Sequence, residues 1–149
     1  MPRADFKFCF PKRVHYAEID AQAIVFNSRY LEYADIGITE YWRAVGIVLS
    51  PASGAPEFNV AKATVEYKKP IKLDELVDLW LRVHHIGRTS MTTLFEIHGN
   101  GKDDIRAHGE IISVHVDACT GRPQALPRAI IDAFEMFEGR LLQITEKEQ

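Results

Sequence analysis

Cysteine is scarce in this chain: only Cys9 and Cys119 occur, and no C-x-x-C pair is present. That excludes a disulfide framework and a cysteine-built zinc site, and makes a reducing, cytoplasmic setting the expectation. Long apolar runs are missing as well. Nothing approaches the roughly 18 residues of a membrane helix, and the opening Met1-Pro-Arg-Ala-Asp-Phe has no apolar signal core. No block of Lys or Arg exceeds a pair, and 18 basic against 21 acidic residues leave a charge of −3. Neither nucleic acid nor a membrane is therefore an expected partner. Repeats, low-complexity tracts and Ser/Gly linkers are absent, so the 149 residues are expected to form one domain, 1–149. The motifs G-x-S-x-G, H-E-x-x-H and G-x-G-x-x-G are also missing, which removes sequence support for serine-hydrolase, zincin and dinucleotide chemistry. His84 and His85 alternate across a strand, and His98, His108 and His115 have no partner at ligand spacing, so no metal is expected.

What is present is the pattern of a folded α+β protein, with 46% hydrophobic and 26% charged residues. Phe6, Phe8 and Phe10 alternate with polar neighbours, and the extended stretch continues through Glu18, predicting a strand that ends near Asp20. From Ser28 the period changes. Leu31, Ala34, Ile38, Tyr41, Trp42 and Val45 recur at helical spacing, with Asn27 or Ser28 as the cap and Gly46 as the stop. Asp35 lies about 40° from Leu31 and about 20° from Trp42 on this wheel, at the edge of the expected buried stripe. A loop bearing Pro51, Gly54 and Pro56 follows. Ala61, Ala63, Val65 and Tyr67 then predict a half-buried strand, and three more follow: Val77 to Val83, Met91 to Ile97, and Ala107 to Val116. His98-Gly99-Asn100-Gly101 reads as a hairpin turn. Pro127 opens a short helix whose apolar face is Ile130, Ile131, Phe134 and Phe137, stopped by Gly139. A mostly antiparallel sheet covering one long helix is the expected architecture.

The stretch Tyr16-Ala-Glu18-Ile-Asp20-Ala-Gln-Ala23-Ile24-Val25-Phe26-Asn27-Ser28-Arg29-Tyr30-Leu31-Glu32-Tyr33-Ala34-Asp35 resembles the signature of the 4-hydroxybenzoyl-CoA thioesterase family. In that signature two acids one residue apart precede a Gly-(His/Ile)-Val segment, a Tyr-Leu on the central helix and a later acid. Ala63 to Leu76, with its Lys69-Pro70-Ile-Lys-Leu-Asp74-Glu75 turn, is similar to the same family's next strand and turn. The resemblance implies the hotdog fold, an antiparallel sheet wrapped around one long central helix. It also implies acyl-CoA hydrolysis in a site closed across a homodimer or homotetramer. No cofactor is implied beyond the CoA of the substrate. Three positions depart from the signature: Ala23 stands where Gly is usual, Glu18 where Asp is usual, and Asp35 where many relatives carry Glu. Ala23 matters most, because Gly allows backbone angles that Ala resists.

Thioester hydrolysis needs a nucleophile or activated water, donors for the developing oxyanion, and little else, because the thiolate leaves readily. By the resemblance, Asp20 carries the essential carboxylate, as nucleophile or as general base. From spacing alone it fits a solvated turn acid as well. Amides at the helix start near Asn27 offer an oxyanion site, although Asn27 fits a plain cap equally. Asp35 is a second active-site acid by resemblance, or a buried acid paired with a neighbouring Arg or Tyr. Tyr30 belongs to the substrate pocket on the same resemblance, and Arg88, Thr89 and Ser90 lie where relatives face the CoA phosphates. Lys68, Lys69 and Lys72 form a further basic cluster, the usual composition of a solvated face. The alternative function is non-catalytic binding of an acyl-CoA or small ligand, motivated by Ala23.

Overall fold

The computed structural model describes residues 3–47 and 56–143, so Pro51 and Gly54 of the predicted loop lie outside the described residues. Strand β1 (Phe8–Arg13) is followed by the long helix α1 (Tyr30–Val45), then β2 (Phe58–Tyr67), β3 (Leu76–Ile86), β4 (Ser90–Gly99), β5 (Ile105–His115) and helix α2 (Arg128–Glu138). The strands form one sheet in the order β1-β3-β4-β5-β2, with β1 antiparallel to β3. With the long helix packed against this sheet, the chain has the α+β hotdog architecture that the resemblance implied.

Two compact units contain these elements: residues 1–41, 64–82 and 95–109 in the first, and residues 42–63, 83–94 and 110–149 in the second. In the first, the register sets Phe8 opposite Leu81 and Phe10 opposite Leu79, and the Phe8 ring lies 5.4 Å from that of Tyr41 on α1. Gly37 is the close-approach point of helix and sheet, since a Cβ there would collide with the Leu81 side chain and reach 3.4 Å from Leu79 Cβ. In the second unit, Trp42 packs edge-on against Phe58 at 5.4 Å and Phe134 of α2 at 5.9 Å. The predicted stops hold: Gly46 is left-handed at φ 100° and Gly139 at φ 73°. The apolar alternation of β3 is borne out, with Val77, Leu79, Leu81 and Val83 all buried.

Two expectations need correcting. The first strand stops at Arg13, and the chain makes a short 3₁₀ turn at Tyr16–Glu18 before Asp20. Extended-looking residues there are held by side-chain bonds to Glu18 rather than by a neighbouring strand. Strand β2 is not half-buried within the chain, because it lies at the end of the sheet order and all but Phe58 and Val65 are exposed. Alternation of small and polar residues reports a sheet face, but an edge strand needs something to cover that face.

Candidate functional site

Between the 3₁₀ turn and α1 the chain doubles back on itself. Phe26 N–H donates to the Glu18 carbonyl at 2.9 Å, Asp20 N–H to the Ile24 carbonyl at 2.9 Å, and Ala23 N–H to the Asp20 carbonyl at 3.0 Å. Closing so tight a loop places Ala23 at φ 61°, the left-handed region. The loop therefore does require the conformation that glycine adopts freely, and Ala adopts it at a cost. It is tied to the segment ahead of β3 by Val25 N–H on the Ile71 carbonyl at 2.8 Å and Leu73 N–H on the Ala23 carbonyl at 3.1 Å.

This loop lines a cleft of about 650 Å³ with Asp20, Gln22 and Asn27, and Tyr30, Tyr67 and the Lys68-Lys69-Pro70 segment complete the lining. One oxygen of Asp20 accepts the Gln22 N–H at 2.8 Å. The other takes no hydrogen bond among the described residues. At the opposite end of the loop, Asn27–Arg29 forms a 3₁₀ turn that runs into α1. The expected cap is absent: Phe26 occupies the N-cap position with no side-chain bond, and Asn27 contributes its backbone carbonyl instead. The N–H groups of Asn27 and Ser28 consequently have no acceptor among the described residues, as befits the first positions of a helix. A carboxylate with a free oxygen and unpaired amides at the positive end of a helix thus belong to one short loop, an arrangement suited to acyl transfer. Tyr30, buried and part of the cleft's lining, has its phenol pushed above its ordinary range by burial and then by the nearby Tyr67.

A sequence profile of the thioesterase-like superfamily matches residues 14–134, which contain this loop and cleft. The chain belongs to that superfamily. Among curated members, it is 28% identical over 129 residues to the acyl-CoA thioester hydrolase YbgC of Escherichia coli O6:H1, covering 86% of this chain and 96% of the relative. A thioesterase from Thermus thermophilus, solved in complex with coenzyme A and zinc, superposes with a TM-score of 0.79 at 28% identity, covering 93% and 98% of the two chains. The 1,4-dihydroxy-2-naphthoyl-CoA thioesterase Slr0204 of Synechocystis shares the fold at 14% identity, with a TM-score of 0.78 over 85% of this chain and 94% of that one.

Other residues singled out from the sequence of this superfamily member lie elsewhere. The buried stripe of α1 is Tyr30, Tyr33, Ala34, Gly37 and Tyr41. Asp35 therefore sits about 140° from its centre and is exposed, not at the stripe's edge. The expected stripe shares Ala34 and Tyr41 with the observed one, but Tyr30, Tyr33 and Gly37 bury in place of Leu31, which is exposed, and the stripe is rotated away from Asp35. Arg88 and Thr89 form the turn between β3 and β4 in the second unit, and Ser90 opens β4. There Gly87 N–H donates to the Ser90 carbonyl at 2.8 Å, and the Thr89 and Arg88 carbonyls accept from His115 and Leu126 at 2.8 and 3.0 Å. The Arg88 side chain is exposed, and none of the three lines the Asp20 cleft. Among the described residues no group of three or more His, Cys, Asp or Glu side chains is placed to hold a metal ion, and no helix is long and apolar enough to cross a membrane.

The residue that sequence reasoning passed over is Glu18. Its carboxylate accepts from Lys12 Nζ at 2.9 and 3.1 Å, from Tyr33 Oη at 2.7 Å and from the His15 N–H at 2.7 Å. Burial alone would raise its pKa, but these donors outweigh it and hold the carboxyl below its usual range. Burial and Glu18 together raise the Tyr33 phenol. A second ionic knot lies at the foot of the segment that receives the loop. Arg106 forks onto Glu75, donates to Asp104 at 3.1 Å and bonds the Pro70 carbonyl at 3.1 Å. The Arg106 guanidinium is the main cause of the lowered Glu75 pKa. Partners six to thirty-one residues apart leave no local pattern that spacing can detect.

Proposed function

We propose that this chain hydrolyses acyl-CoA thioesters to the free acid and CoA, with Asp20 as the reacting carboxylate and the amides of Asn27 and Ser28 as oxyanion donors. The observation that carries the reading is the Asp20 oxygen that has no hydrogen bond among the described residues, in a cleft that Asn27 also lines. Membership of the superfamily and the thioester hydrolases among its relatives support it. In one route Asp20 attacks the thioester carbon and expels the CoA thiolate, leaving a mixed anhydride that water cleaves. In the other it takes a proton from the attacking water. Either way the carbonyl oxygen gains charge beside amides that have no competing acceptor among the described residues, and the thiolate departs without a strong acid. No cofactor enters either route.

In this reading Arg88, with Thr89 and Ser90, meets the CoA phosphates, because an exposed guanidinium in a tight turn offers a planar donor to a polyanion. The ten-residue exposed edge of β2 supports pairing with a second copy into a homodimer or homotetramer, since Val60 is 65% exposed along it. Asp35 and the exposed Leu31 would then face a partner rather than the cleft. The non-catalytic alternative rested on Ala23, but the loop takes its left-handed turn with Ala in place.

Release of free CoA from aryl, short-chain and long-chain esters tests the proposal, with Asp20→Asn beside the wild type. Turnover lost only in the variant supports it; saturable binding without release in both proteins supports the non-catalytic alternative instead. Size-exclusion chromatography at micromolar concentration tests the assembly, for which a monomer is the contrary result.

A further inference from the structure

Tyr67 ends β2 with a side chain that is 53% exposed, so burial does not oblige its hydroxyl to find a protein partner. It nevertheless donates to the Asn27 carbonyl at 2.8 Å, across forty residues of sequence. That carbonyl also accepts the Tyr30 N–H, which closes the 3₁₀ turn. The neighbouring Phe26 carbonyl is fixed in the same way by the Arg29 N–H at 2.8 Å. Both peptide planes that meet at Asn27 are thus held through their oxygens. Because a peptide is planar and trans, holding an oxygen fixes the direction of the N–H on its other side. The N–H groups fixed in this way are those of Asn27 and Ser28, the two left without an acceptor. A bond donated to a carbonyl also polarises its peptide and strengthens the N–H as a donor. The Tyr67 ring is itself held, edge-on to the buried Tyr30 at 4.8 Å and 78°.

From this geometry we infer that Tyr67 is a positioning residue for the Ser28 N–H as an oxyanion donor, acting through the Asn27 carbonyl and not on the substrate itself. The inference rests on the thioester-hydrolase reading above. It assigns Tyr67 the task of aiming and polarising an amide that must meet charge present only in the transition state. Such a residue contributes to the chemical step and little to ground-state binding.

Tyr67→Phe keeps the ring and removes the hydroxyl. Steady-state hydrolysis of an ester that the wild type turns over is measured, with each rate divided by the folded fraction from tryptophan fluorescence. The expected result is a fall in kcat of about tenfold, less than the loss of a whole oxyanion donor, with KM within about twofold. The melting temperature should stay close to that of the wild type. A merely structural tyrosine would lower the melting temperature or move KM and leave kcat per folded molecule unchanged, and that outcome overturns the inference. An active wild type, an inactive Asp20→Asn and an unchanged Tyr67→Phe refute the positioning role alone. A wild type that hydrolyses none of the esters refutes the functional reading, and the role of Tyr67 with it.

Discussion

Glu18 and Asp20 stand one residue apart in the same loop and have opposite surroundings. Glu18 is tightly held: a lysine, a tyrosine and a backbone amide converge on it, and its proton affinity is depressed accordingly. Asp20 takes one amide on one oxygen and leaves the other toward a cleft. A carboxylate gripped by a lysine, a tyrosine and an amide is a strut, because those donors fix its position and hold it in the ionised form. One with an idle oxygen beside unpaired amides can react. On the proposed mechanism the pair divides labour, one acid holding the shape of the loop in which the other would react.

Exchanging acid for amide at each position should separate the two tasks. Asp20→Asn is expected to lower kcat/KM for an acyl-CoA by about a thousandfold while the melting curve is unchanged, read by thiol release and calorimetry. Activity retained in this variant would erase the distinction. Glu18→Gln should do the reverse, costing about 2 kcal/mol in urea unfolding, since it replaces a charged acceptor of three donors by a neutral amide. Its activity should fall only as far as the loop loosens. Ala23→Gly, between the acids and the helix, relieves a left-handed alanine and should raise stability by about 1 kcal/mol. A loss of stability would mean that the loop does not hold φ 61° in solution. The smallest effect is in acid. Glu18 has a lowered folded-state pKa, so its contribution is complete above its ordinary value of 4.5 and disappears as pH falls through the folded value. The wild type should therefore lose stability below that pH more steeply than Glu18→Gln, and parallel curves would show that Glu18 is not the strut.

The strands and helices that carry regular patterns were legible in the sequence. Val77 to Val83 alternate and are buried, and Gly46 and Gly139 stop their helices where the pattern ends. Asp20 was found because an ordered string of residues around it resembled a family signature, not because its spacing demanded a role. Glu18 was visible in the same string, but its function depends on Lys12 and Tyr33, which approach only after the loop and α1 have packed. Asp35 was misplaced by the ambiguity of tyrosine. Tyr30 and Tyr33, left out of the apolar stripe, turn out to lie on the helix's buried side with Tyr41, which rotates Asp35 outward. Asn27 shows the same limit at a smaller scale, since a residue typed as a capping side chain works here through its carbonyl.

The strand order carries a consequence in time. Neither β1 nor β2 has a sheet neighbour among the strands made near it: β1 pairs with β3, and β2 borders only β5. During synthesis both emerge as orphans and wait until the β3-β4-β5 meander exists to receive them. The Asp20 loop waits too, because its ties run to Ile71 and Leu73, and the Tyr67 that grips Asn27 is fixed only when β2 docks on β5. A nascent chain lacking β5 would therefore contain every residue of the cleft in sequence but not the strand that seats Tyr67 and bonds the Lys68 and Lys69 amides.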